Sequence, residues 1–95
     1  MDRVEAMIIR LAGKLGISIS SLSGISFADT VRLIREKCGL SQNGLSSLTG
    51  IPLPTVRDWE HKRREPKAHM QKAILLMLLT YASALKREAQ DEEPV

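Results

Sequence analysis

Residues 57–64, "RDWEHKRR", crowd Arg57, Lys62, Arg63, Arg64 and His61 into little more than two helical turns, with Asp58 and Glu60 between them. Guanidinium forks and an ammonium group make charge-assisted hydrogen bonds to anionic oxygen. By itself, such a run is as readily a solvated face as a binding surface. Covalent chemistry has little to work with. No nucleophile–base arrangement and no phosphate loop stand out along the chain, so no catalytic residue is assigned and an enzyme is not expected. His61 and His69 lack a third partner for a metal, and the single Cys38 excludes an internal disulfide or a cysteine-based zinc site. No metal or cofactor is expected.

The charge balance sharpens the suggestion of an anionic partner. The net charge of +3 hides a split, because the last eight residues, "EAQDEEPV", hold 4 acids and no base. Residues 1–87 therefore carry 14 bases against 7 acids. A basic globule with an acidic end fits a polyanion, the end being a solvated or self-screening appendage.

These side chains need elements to hold them. Ninety-five residues make one small domain, and with 3% aromatics its core must be aliphatic, which favours helices. Val4, Met7, Ile8, Leu11 and Leu15 recur at helical spacing, so Asp2 to Leu15 reads as an amphipathic helix. Residues 16–26 are rich in Ser and Gly and read as a packed loop or short extended piece. Ser26 with Asp29 resembles a capping box, opening a helix to Cys38 that Gly39 ends. Ser41 caps a further helix, Gln42 to Thr49, and Gly50 suits a left-handed turn. Leu53 to Lys62 and Lys67 to Arg87 complete the set, and "AQDEEPV" reads as disordered. The expected fold is all-α, about five helices. Residues 1–26 form an N-terminal helix and loop, 27–87 the main domain, and 88–95 an acidic tail.

Short helix, glycine turn, second helix, tryptophan and basic run make a helix-turn-helix pattern. Ser46 is the small residue where the helices touch, Gly50 the turn, and Ile51, Val56 and Trp59 the apolar locks. "GLSQNGLSSLTGIPLPTVRDWEHKRREP", residues 39–66, resembles the phage-repressor (Cro/CI-like, lambda-repressor-like) family, close to its antitoxin-type autoregulators. Gln42, Leu45, Gly50, Val56, Trp59-Glu60 and Pro66 carry the likeness together.

The resemblance implies roles. Gln42 would touch a DNA phosphate from the first helix of the motif. Arg35 and Glu60 would form an internal ion pair. Leu53, Pro54, Arg57 and Asp58, with Thr55 close by, would face the bases of the major groove. His61, Lys62, Arg63 and Arg64 would grip phosphate.

Two departures from the family pattern matter. Pro52 and Pro54 stand where relatives often carry Ser, Gln or Arg. They cost the helix nothing, because its first N–H groups lack intrahelical acceptors, but they leave an apolar edge. Arg57 then remains the strong candidate for a bidentate guanine contact, with Leu53 suited to a thymine methyl and Asp58 to a cytosine amino group. Lys62 replaces a frequent glycine and adds charge.

"LAGKLGISISSLS", residues 11–23, echoes the motif, but its serine-rich second half favours an accessory helix and loop over a second reading head. In the last helix, Met70, Ala73, Ile74, Met77, Leu78, Tyr81 and Leu85 form one apolar stripe and Leu75, Leu76, Leu79 and Ala82 a second. One stripe closes the domain. The second is assigned to a partner, most simply another copy of the chain, unless the N-terminal helix covers it. The expectation is a homodimeric repressor on a palindromic operator in double-stranded DNA, controlling its own, a phage-like or a mobile-element operon. The alternative is an antitoxin or antiactivator that masks a toxin or regulator protein. Either would work in a bacterial or phage-infected cytoplasm, at the nucleoid, with no membrane contact.

Overall fold

The chain's first helix owes its start to Asp2, whose carboxylate accepts the Glu5 N–H at 2.8 Å and so satisfies one of the orphan donors there. The computed structural model describes residues 2–18 and 26–91, the last four as backbone alone. Five helices follow in order: α1 Arg3–Lys14, α2 Phe27–Lys37, α3 Gln42–Thr49, α4 Leu53–Glu60 and α5 Ala68–Asp91. Among the described residues there is no strand, and the all-α expectation holds.

Local signals set most boundaries. Ser26 and Ser41 cap α2 and α3, their hydroxyls accepting the Asp29 and Gly44 N–H groups at 3.3 and 2.9 Å. Gly39 (φ 69°) and Gly50 (φ 77°) take the left-handed conformation after α2 and α3, where a β-carbon would be strained. The α4 helix ends at Glu60 rather than Lys62, because Lys62 itself sits at φ 61°, a conformation that no α-helix continues. In the other direction α5 runs to Asp91, into the segment read as a disordered acidic tail. Glu88, Ala89 and Gln90 are good helix formers that prolong an already formed helix at little cost. The serine-rich half of the echoed motif falls largely on residues 19–25, outside the described residues.

The core is mainly aliphatic, as the composition demanded, with Phe27 the buried aromatic among the described residues. Ile8, Val31, Val56 and Leu79 are fully buried, with Ile34, Leu45 and Leu78 almost so. The α1 helix lies along α5. Lys72, near the start of α5, reaches the carboxylates of Asp2 and Glu5 at 2.9 Å each. Lys86, toward its other end, donates to the Lys14 carbonyl at 2.9 Å. The two helices therefore run parallel. The Glu5 N–H and the Lys72 ammonium together hold the Asp2 carboxyl below the usual carboxylate range.

This packing corrects the assignment of an interface to Leu75, Leu76, Leu79 and Ala82. Leu75, Leu79 and Ala82 are 3, 0 and 2% exposed within the single chain, and Leu76 is half-buried against the same cluster. Packing α5 against α1 and α2 in one apolar cluster removes that surface from water without a second molecule. On the other stripe, Met70 and Tyr81 stay 47 and 39% exposed.

Candidate nucleic-acid interface

The turn between α3 and α4 is held by short polar links. The Gly50 N–H donates to the Ser46 carbonyl at 2.9 Å. The Ser46 hydroxyl donates across the turn to the Ile51 carbonyl at 2.6 Å. Thr49 bridges it a second time, donating to the Leu45 carbonyl at 2.8 Å and accepting the Ile51 N–H at 3.2 Å. Ser46 is thus more than a small residue at a helix crossing: it pins the chain on the far side of the turn.

The prolines then do what their chemistry allows. Pro52 occupies the N-cap position of α4, with Leu53 and Pro54 as the first helical residues and no side-chain cap. Its carbonyl accepts the N–H groups of Thr55 and Val56 at 3.0 and 3.1 Å. Pro54 has no N–H to leave unsatisfied, so a proline-stiffened entry replaces a polar cap. Val56 anchors α4 in the core. Trp59 packs edge-on against Phe27 with ring centroids 5.4 Å apart, a geometry that aromatic quadrupoles favour.

Glu60 closes the far end of α4 and is the charge hub of the domain. Its side chain is fully buried, and Arg35 grips it with both prongs, Nε to Oε2 at 2.8 Å and Nη2 to Oε1 at 2.9 Å. The remaining Nη1 of Arg35 donates to the Leu40 carbonyl at 2.9 Å. Burial pushes the Glu60 carboxyl up, but the bonds from Arg35 and Gln42 outweigh it and hold the group below its ordinary value. The pair ties α2 and the start of α3 to the end of α4.

Two members of this hub depart from expectation. Arg32 joins it, Nη2 donating to the Glu60 carbonyl at 3.1 Å and Nε lying 3.4 Å from Oε1. The sequence reading overlooked Arg32, although its i,i+3 spacing from Arg35 puts both on one face of α2. Gln42 was expected to reach outward to phosphate, but its Nε2 points inward, donating to Glu60 Oε1 at 3.3 Å. A buried carboxylate has lone pairs to fill, and Gln42 at the start of α3 is within reach.

The other residues expected at the site lie on α4 and the loop that follows it. Pro54, Arg57, His61, Lys62, Arg63 and Arg64 are exposed, while Leu53, Thr55 and Asp58 are half-buried. Arg57 has no ion-pair or hydrogen-bond partner among the described residues, so its whole donor fork is available. Asp58 is engaged: its carboxylate lies 3.3 Å from Arg63 Nε and 3.8 Å from Arg64 Nε. Lys62 reaches Asp29 only loosely, at 3.8 Å.

Elsewhere, burial pushes the Cys38 thiol up, which works against thiolate reactivity. Among the described residues no group of three His, Cys, Asp or Glu side chains is placed to hold a metal ion, and no helix is long and apolar enough to cross a membrane.

A braced second helix beside a cationic loop is the arrangement of a helix-turn-helix domain. The helix-turn-helix family model matches residues 31–78, from the middle of α2 to well inside α5. The chain belongs to the Cro/CI-type helix-turn-helix family, whose domains are DNA-binding regulatory domains and not typically enzymatic. No curated protein and no solved structure matches the chain.

Proposed function

We propose that this chain is a sequence-specific repressor that acts as a homodimer on its own operon, or on another phage-like or mobile-element operon. The observation that carries the reading is Arg57: exposed, and unpaired among the described residues, on a helix fastened at both ends, beside Lys62, Arg63 and Arg64. Phosphate contacts from the three loop cations dock the motif, and Arg57 reads a guanine through two parallel bonds. Leu53, Asp58 and Thr55 supply further base contacts. Gln42 acts indirectly, by fixing Glu60 and hence the end of α4.

Dimerisation is assigned to a different face of α5 from the one first expected. Met70, Ile74, Met77 and Tyr81 follow a heptad-like i, i+4, i+7, i+11 spacing, and the two end residues are the exposed ones. A two-fold pair through this stripe would present two α4 helices to half-sites about one DNA turn (~34 Å) apart. The protein-masking alternative draws on the N-terminal segment, the two-faced last helix and the acidic tail; with Leu75, Leu79 and Ala82 buried within the single chain, the match to a DNA-binding domain family makes DNA the preferred partner.

Fluorescence anisotropy over a salt series tests this, using DNA from upstream of the gene and a scrambled fragment of equal length. Much tighter binding to the upstream fragment, with affinity falling steeply with salt on both, is the expected result. Equal and weak binding to the two fragments would sink the autoregulator reading.

A further inference from the structure

Asp58 and the loop that follows α4 are folded onto one another. The backbone carbonyl of Asp58 accepts both the Arg63 and Arg64 N–H groups, at 2.9 and 3.3 Å. Its carboxylate faces both guanidinium groups, at 3.3 and 3.8 Å. Lys62 makes this closure possible by adopting φ 61°, a conformation a lysine enters only at some cost. One acidic residue on the outward side of α4 thus gathers two of the three loop cations.

We propose that Asp58 is an internal competitor for phosphate: in the free protein it holds Arg63 and Arg64, and DNA must displace it to engage them. The inference rests on the DNA-binding reading and deepens it, by naming a residue that sets specificity through what it withholds. The contacts suit exchange rather than locking. The arginine side chains are 63 and 82% exposed, and the carboxylate 28%, so water can take either partner's place. Pairs this exposed are weak and readily traded for a phosphate oxygen.

The trade has a consequence at the bases. Once the arginines turn to phosphate, the Asp58 carboxylate is left half-buried at the groove without donors. A cytosine or adenine amino group opposite it restores a hydrogen bond, and a site offering only acceptors there leaves it unpaired. Asp58 therefore lowers affinity for DNA in general and spares sites with an amino group in register. It adds discrimination that the apolar Pro52–Leu53–Pro54 edge lacks.

The test is Asp58→Asn, nearly isosteric and uncharged, measured on upstream and scrambled DNA across a salt series. Binding to scrambled DNA should tighten about fivefold, with a salt slope steeper by about one, while the upstream fragment gains less, so their ratio shrinks. In an Arg63→Gln, Arg64→Gln background the same change should lose most of its effect on scrambled DNA, which ties it to the clamp. Side-chain Nε–H resonances of the DNA-free protein give an independent reading. Arg63 and Arg64 should differ from Arg57 in the native chain and move toward it in Asp58→Asn. An unchanged affinity ratio in a variant whose parent binds DNA well would overturn the proposal alone. Failure of both proteins to bind any fragment would overturn the DNA reading, and the proposal with it.

Discussion

Glu60 and Asp58 are two residues apart on the same short helix, and each is a carboxylate facing two arginines. Glu60 is fully buried, bonded to Arg35 at 2.8 and 2.9 Å, and further contacted by Arg32 and Gln42. Asp58 is partly exposed, and its arginine contacts are 3.3 and 3.8 Å long. The difference is the dielectric around them. Inside, separating the charges strands an ion with no water to accept it. Outside, solvent replaces either partner, and phosphate the carboxylate, at little cost. One ion pair holds α4 in place, and the other is the contact proposed to exchange when DNA binds.

The largest effect should come from breaking the buried pair. Arg35→Ala leaves the buried Glu60 carboxylate only the longer contacts of Arg32 and Gln42 and should destabilise the domain by about 3 kcal/mol, read from urea unfolding. Arg35→Met combined with Glu60→Leu should cost distinctly less than either single change; an additive loss would mean that packing, not charge, dominates this site.

Acid should weaken the same pair more gently. The Glu60 carboxyl has its ordinary value near 4.5 and is held below it when folded. The stability it contributes is complete above the unfolded value and is lost as pH falls through the lowered folded value. Urea midpoints should therefore be flat at neutral pH and decline below about pH 4.5, with the decline reduced in the Arg35→Met, Glu60→Leu chain.

Arg57 tests the exposed side of the comparison, since among the described residues no hydrogen bond or ion pair holds its side chain. Arg57→Ala should leave the unfolding midpoint unchanged yet cost about 1–3 kcal/mol on upstream DNA, with little loss on scrambled DNA. Equal losses on both fragments would demote Arg57 to a phosphate contact. The smallest effect on stability belongs to Asp58→Asn, expected within about 0.5 kcal/mol of the parent. A loss several times larger would make the Asp58 contacts structural and erase the contrast with Glu60.

What was legible in the chain follows a pattern. Ser26, Ser41 and Gly50 announced the helix ends correctly, because capping and left-handed turns depend on a few consecutive residues. Pro52 and Pro54 were readable for the same reason. Pairing Arg35 with Glu60 needed the family resemblance, since 25 residues separate them. Arg32, the inward turn of Gln42 and the grip of Asp58 on its own loop were not read at all. Each depends on where a long side chain finds an acceptor once the helices have packed.

The assignment of the two α5 stripes shows the division most plainly. Apolar spacing settled in advance that α5 is a helix with two faces to hide, that α1 is amphipathic, and that a helix-turn-helix lies between them, since periodicity and capping are local properties. How α5 divides its surface follows from packing against α1 and α2: Leu75, Leu79 and Ala82 of one stripe and Leu78 of the other are buried, while Met70 and Tyr81 stay exposed. Whether a carboxylate becomes a lock or an exchangeable contact rests on the same kind of information: its distance from water, which arises when segments far apart in the chain come together.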